Sequence, residues 1–260
     1  MSYIDVHCHI NDADYGDVDA LLARVKAAGV QKLIVAGFDL QSSEYARELS
    51  SKHDGVYFCA GFHPTELSKY AEGDLEKIEA LARDGKCVAI GEIGLDYYYP
   101  DTQKQLQHEL FARQIALADR LGLPVQIHSR DAAEDTLNII KDYLPRLKNG
   151  FMLHCYSYSP EIAAELLKLG AYFSFGGTCT YSGSKRARKT IAALPHDRVM
   201  TETDSPYLAP KSMQGEFPNT PESIPEICSE IGLLRGESAE NAAEEVWAAA
   251  HTLFKKLKPA

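Results

Sequence analysis

The chain has 260 residues, 45% of them hydrophobic and 25% charged, a balance that suits a globular protein and speaks against a disordered or fibrous one. It contains no apolar run near the roughly 20 residues of a membrane-crossing helix, and no basic stretch followed by an apolar one of the secretory kind. The net charge of −10 argues against the broad basic face of proteins that coat duplex nucleic acid, so any nucleic-acid contact has to be local.

The first predicted element, Ile4-Asp5-Val6-His7-Cys8-His9, reads as a short strand. Strand side chains alternate between faces, so His7 and His9 point one way and Cys8 the other. Similar apolar, β-rich segments recur at residues 32–38, 56–62, 87–92, 124–128, 151–154, 171–175 and 199–203. Helical patterns lie between them. Residues 17–28 carry Val18, Leu21, Leu22 and Val25 on one face and stop at Gly29. Residues 44–51, 74–83, 103–121, 131–143, 159–169 and 185–194 behave alike. Eight strands alternating with helices imply parallel β/α units, and eight is the number that closes a (β/α)8 TIM barrel. A Pro- and Gly-containing stretch, residues 209–225, has no period of its own and is expected to be a lid or rim loop. Helices at about 222–232 and 241–257 complete the chain, and no composition break divides it, so a single domain over residues 1–260 is expected. The six cysteines (Cys8, Cys59, Cys87, Cys155, Cys179, Cys228) are scattered without a Cys-x-x-Cys, which implies packing residues and a reducing cytoplasm.

Ligand-type residues stand at the strand ends. His7 and His9 end the first, Glu92 the fourth, His128 the fifth and His154 the sixth, while Asp204 follows the eighth. In a (β/α)8 barrel those ends converge on the C-terminal mouth, where active sites sit. Five of the nine histidines (His7, His9, His63, His128, His154) fall at such places; His53, His108, His196 and His251 do not, and are expected to be solvated. Four imidazoles and two carboxylates exceed one four-coordinate ion and suit two cations about 3.5–4 Å apart. Glu92 is the natural bridge between them, and Asp204 the natural base toward an activated water.

The chain is similar to the TatD-type metal-dependent deoxyribonucleases of the amidohydrolase superfamily, over nearly its whole length. The likeness is carried by His7-Cys8-His9, Gly61-Phe62-His63-Pro64, Gly91-Glu92-Ile93-Gly94-Leu95-Asp96, His128-Ser129-Arg130-Asp131-Ala132, His154-Cys155-Tyr156-Ser157 and Glu202-Thr203-Asp204-Ser205-Pro206-Tyr207-Leu208. That resemblance implies His7, His9, Glu92 and Asp204 on one metal, Glu92, His128 and His154 on the other, and His63 facing the site as a catalytic or substrate group. The chain departs from the family pattern at Thr65, where a second His often follows His-Pro, at Tyr158, where Gly is frequent, and at Pro218, where many members carry Arg before the Asn of Asn-x-Pro.

Supporting residues have competing readings. Glu202 lies two before Asp204, hence on the same inward face one layer deeper, and is expected to hold a ligand or a lysine. Asp96 is placed in a loop after the fourth strand, contacting substrate or organising that loop. Arg130 is a candidate phosphate grip or a partner for a carboxylate. Asp131 with Glu134 fits a capping box, and Tyr97, Tyr98 and Tyr99 form either a base-stacking shelf or packing. Lys185, Arg186, Arg188 and Lys189 are the dense basic cluster, facing either phosphate or solvent.

The first functional reading is a two-metal hydrolase, carrying zinc, manganese, magnesium or similar ions, that cuts DNA from single-stranded or frayed ends as a monomer without a membrane partner. The alternatives are an amidohydrolase-type enzyme acting on a small ester, amide or lactone, and a metal-binding scaffold without turnover.

Overall fold

The computed structural model describes residues 1–100 and 102–258. Its strands are β1 (Tyr3–Cys8), β2 (Val30–Ala36), β3 (Val56–Ala60), β4 (Cys87–Asp96), β5 (Val125–Arg130), β6 (Phe151–Leu153), β7 (Tyr172–Phe175) and β8 (Val199–Thr201). They neighbour one another in sequence order in one eight-stranded sheet, and the registered pairs are parallel. With helices between the strands, this is the (β/α)8 barrel class. The helices are α1 (Asp12–Tyr15), α2 (Val18–Ala27), α3 (Leu40–Lys52), α4 (Asp74–Ala82), α5 (Lys104–Leu121), α6 (Ala133–Tyr143), α7 (Pro160–Lys168), α8 (Lys185–Ala193), α9 (Ile224–Arg235) and α10 (Ala239–Leu253). No helix among the described residues is long and apolar enough to cross a membrane.

Contacts divide the chain into two compact units. The first holds Met1–Val35, Cys155–Ala164 and Phe173–Thr252. Here β1 pairs with β2 (Ile4 opposite Lys32) and β7 with β8 (Phe173 opposite Val199). The end of β8 is tied to β1 by Thr201 Oγ1, which donates to the Ile4 carbonyl at 2.8 Å, and by the Asp204 N–H, which donates to the His7 carbonyl at 3.0 Å. The second unit holds Ala36–His154, Glu165–Tyr172 and the segment from Leu253. Its strands β3, β4 and β6 are wholly buried and β5 is buried over its first three residues, because a parallel strand covered on both faces reads as a continuous apolar run.

Two glutamines on α5 explain how that helix places the ends of the loops above it. Gln107 and Gln114 lie two turns apart on one face and are 4% and 1% exposed. The Gln114 amide accepts from the Phe62 N–H at 2.8 Å and donates to its carbonyl at 3.0 Å. The Gln107 amide accepts from the Asp96 N–H at 2.8 Å and donates to the Pro64 carbonyl. Both backbone segments thereby gain side-chain partners from the helix.

The structure corrects several boundaries. β4 runs to Asp96, four residues past the expected end, so Asp96 closes a buried strand rather than sitting in a loop. α3 begins at Leu40, four residues early, because Asp39 and Ser42 form the capping box that the hydrophobic pattern does not show. Asp131 and Glu134 form none: α6 begins at Ala133 behind Ala132, with no side-chain cap, and Asp131 adopts φ 54°. The expected 209–225 loop contains the short turns Lys211–Met213 and Pro221–Ser223 and then runs into α9.

Gly94 is required where it stands. Its φ is +146°, and a Cβ there would lie 1.9 Å from the carbonyl oxygen of His128, its register partner on β5. Gly94→Ala is expected to lower stability by about 2–3 kcal/mol, through backbone strain and a displaced carbonyl. Thermal unfolding should show a Tm lower by about 4–10 °C; an unchanged Tm would mean that β5 yields freely.

Candidate metal-binding site

In the first unit, β1 delivers His7 and His9 and the turn after β8 delivers Asp204. His7 Nε2 and His9 Nε2 are 3.3 Å apart, and Asp204 Oδ1 lies 3.6 Å from the first and 3.4 Å from the second. Donors held 2.0–2.2 Å from a tetrahedral ion sit about 3.3–3.6 Å from one another, so this triangle fits one divalent cation. The set is fixed from beneath by Asp5. That carboxylate is fully buried and accepts from the His7 N–H (3.1 Å), the Thr203 N–H (3.1 Å) and Thr203 Oγ1 (2.5 Å). Burial pushes its pKa up to about 7 against those hydrogen bonds. Glu202, also fully buried, accepts from the Cys155 N–H and from Ser174 Oγ, each at 2.6 Å. Burial pushes Glu202 up to about 8, with the charge of His7 pulling the other way.

The second unit carries its own set around Glu92, which is 3% exposed. Glu92 Oε1 lies 2.7 Å from His154 Nε2, 2.9 Å from His128 Nδ1 and 3.3 Å from His63 Nε2. The other nitrogen of His128, Nε2, is 3.0 Å from Asp96 Oδ2. A ligand imidazole whose far N–H is held by a carboxylate keeps its ring orientation and its lone pair aimed at the metal. Burial opposes charge on His128, yet Asp96 and Glu92 outweigh it and carry its pKa up to about 9. A metal ion therefore competes with a proton for Nδ1. His63 differs from its neighbours. Its Nδ1 accepts from the Thr65 N–H at 3.1 Å and faces Thr65 Oγ1 at 2.7 Å. The backbone N–H on Nδ1 leaves the ring proton to Nε2, so that His63 is placed to donate into the site. Thr65, the residue that departs from the family pattern, is what orients it.

The expected ligands thus fall into two sets: His7, His9 and Asp204 in one unit, Glu92, His128 and His154 with His63 in the other. The remaining sites of the sequence reading divide. Arg130 lies over the ring of Tyr98, 3.6 Å from its centroid, so its guanidinium is stacked rather than paired with a carboxylate. The Tyr97 hydroxyl donates to Asp135 at 2.6 Å and meets His108, whereas Tyr98 and Tyr99 are exposed. Arg188 leaves the phosphate-facing cluster: it donates to the Cys179 carbonyl at 2.8 Å and pairs with Glu230 of α9. Lys185, Arg186 and Lys189 are exposed. The histidines expected in solvent also have partners, for His196 lies 2.6 Å from Glu245 and His251 2.7 Å from Lys32. Asp5, Asp96, Thr65 and the α5 glutamines were beyond the reach of strand-end reasoning. For Asp5 a signal exists, an acid two residues before a ligand on the same strand face, as with Glu202 and Asp204.

The family model described as TatD related DNase matches residues 4–255. The chain is 36% identical over 252 residues to an uncharacterized metal-dependent hydrolase, YabD, of Bacillus subtilis (strain 168), covering 96% of this chain and 98% of that protein. It is 32% identical over 255 residues to the 3′-5′ ssDNA/RNA exonuclease TatD of Klebsiella pneumoniae (strain 342), covering 96% and 97%. Among solved structures, YjjV, a TatD homolog of Escherichia coli K12, superposes with a TM-score of 0.91 at 33% identity, covering 97% of this chain and 98% of that one.

Asp96→Asn keeps the volume of the side chain but removes the charge that holds His128. Zinc affinity at the second set, read by competition with a chromogenic chelator, should fall about 10–100-fold. Unaltered affinity would show that His128 needs no carboxylate behind it.

Proposed function

The chain belongs to the TatD-related DNase family and is a TatD-like metal-dependent hydrolase; from that premise we propose that it hydrolyses phosphodiester bonds of single-stranded DNA from an end. One observation carries the reading: two sets of imidazole and carboxylate donors, each drawn together around one point, in a chain similar to a 3′-5′ ssDNA/RNA exonuclease. Divalent ions, when bound, acidify a water and neutralise charge developing on phosphate. His7, His9 and Asp204 would hold one ion, and Glu92, His128 and His154 another. Asp204, 15% exposed at its side chain, is the proton acceptor. His63, with its proton fixed on Nε2 by Thr65, donates toward a phosphate or leaving oxygen. Asp96 keeps His128 oriented, and Asp5 and Glu202 hold the segments from which His7 and Asp204 project.

A second reading, hydrolysis of a small ester, amide or lactone, is favoured by the net charge of −10, which repels a polyanion. It is also favoured by Pro218, which supplies no cation where the family resemblance leads one to expect Arg. A hydrolysis screen of the metal-loaded protein on single-stranded DNA, duplex DNA, RNA and small esters separates the two.

Elemental analysis of the fully reconstituted protein should give two divalent ions per chain, and Glu92→Gln should cost the second set its ion and most activity. One ion or none in the unaltered protein would end the two-metal reading. Asp204→Asn should depress turnover at saturating metal by about 100-fold or more, since an amide still ligates weakly but takes no proton. Undiminished turnover would remove Asp204 from the role of base.

A further inference from the structure

Two aromatic rings of the first unit stand in solvent beside the His7–His9–Asp204 set. Tyr207 is 56% exposed and Phe217 63%, and their ring centroids are 6.4 Å apart at an angle of 45°. Single exposed apolar side chains are common and need no explanation. These two form a pair, and both are held in place by backbone that is strapped down. Asn219, fully buried, donates from Nδ2 to the carbonyls of Thr203 (3.2 Å) and Tyr207 (2.8 Å), while its own N–H donates to the Pro206 carbonyl (2.9 Å). The Tyr15 hydroxyl donates to the Asn219 carbonyl at 2.6 Å. The ligand and the shelf share one turn: the Tyr207 N–H donates to the Asp204 carbonyl at 3.0 Å, closing a turn whose ends lie under about 7 Å apart.

Resting on the nuclease reading, we propose that Tyr207 and Phe217 form a base-stacking shelf that positions the nucleotide whose phosphate lies at the His7–His9–Asp204 set. A rigid aromatic face beside a cation-binding set matches the two halves of a nucleotide, an anionic phosphate and a flat π-surface. Stacking is indifferent to base identity, because every base has a π-face. It also needs no broad basic surface, which this chain of net charge −10 lacks. Only an unpaired strand exposes the faces of its bases, so the shelf selects single strands over duplex. Cations stand further along the same unit. Lys211 is exposed, its N–H donates to Thr180 Oγ1 at 2.8 Å, and the segment after Thr180 leads to Lys185 and Arg186 at the start of α8. The phosphates of the next nucleotides would run from the shelf toward these side chains.

The test uses the full chain loaded with manganese, a single-stranded oligonucleotide, the same oligonucleotide with one abasic residue placed at successive positions, and a small chromogenic phosphodiester. Phe217→Leu and Tyr207→Leu keep apolar bulk but remove the aromatic face; Phe217→Tyr restores it. Each Leu variant should raise KM for the oligonucleotide about 5- to 100-fold, the range that base–aromatic stacking supplies. The change should fall on KM rather than kcat, leave the small diester unaffected, and be reversed in Phe217→Tyr. One abasic position should weaken the unaltered protein to the same degree and add nothing further in the Leu variants. An oligonucleotide KM that does not move, or equal losses on both substrates, overturns the shelf while leaving the nuclease reading in place. Hydrolysis of the small diester without any cleavage of nucleic acid by the unaltered protein overturns the nuclease reading itself.

Discussion

Three buried carboxyl groups stand behind the candidate ligands, two in the first unit and one in the second, and each set depends on how its own are satisfied. A carboxylate taken out of water without partners costs several kcal/mol. Asp5, Asp96 and Glu202 are each 2% exposed or less. Each finds its partners in backbone or side chains next to a ligand: Asp5 at the N–H groups of His7 and Thr203, Asp96 at His128 Nε2 and the Tyr98 N–H, Glu202 at the Cys155 N–H and Ser174. A shift of any of these segments by a fraction of a hydrogen-bond length leaves a buried carboxyl oxygen or a buried N–H without its partner. The cost of burial is thereby converted into positional precision for His7, His128 and Asp204.

The same economy appears with neutral groups. Gln107 and Gln114 of α5 satisfy backbone at Asp96, Pro64 and Phe62, the segments that carry Asp96 and His63. A helix that would otherwise only cover the sheet becomes the ruler for two site residues. Placing amides rather than carboxylates there avoids adding further negative charge beside Glu92 and Asp96. Thr65 extends this logic outward, since its backbone N–H donates to Nδ1 of His63 and leaves the ring proton to Nε2.

Strand periodicity made the (β/α)8 class legible and singled out the candidate ligands at the strand ends, because strand-end positions follow from the alternation of apolar segments alone. It did not reveal the roles of Asp96, Gln107 or Thr65. Those depend on which side chain meets which backbone group across tens of residues, and no local pattern encodes that. The expected capping box at Asp131 illustrates the converse error. A short polar pattern occurs by chance, and here α6 starts two residues later, behind Ala132. Arg188 failed for a third reason: a run of basic residues on a helix necessarily points to several faces, and the face of Arg188 meets Glu230. Spacing within the run separates Arg188 from Lys185 and Arg186 by angle, yet only packing says which face is covered.

Net charge looks at first like an argument against a polyanionic substrate, but distance limits its reach. At physiological salt, charges further away than about 8 Å are largely screened. A phosphate at the His7–His9–Asp204 set would meet mainly what lies within that radius. Two neutral imidazoles and one carboxylate around a divalent ion leave a single positive charge there, whatever the distant surface carries. The exposed faces of Tyr207 and Phe217, in turn, attract a base without any charge at all. On the proposed nuclease reading, an acidic chain equipped in this way would hold a short stretch of unpaired strand next to the ion, while its remaining surface repels duplex and long polyanions. On that reading acidity and nuclease chemistry are complementary: the surface would set what is refused, and the site what is held.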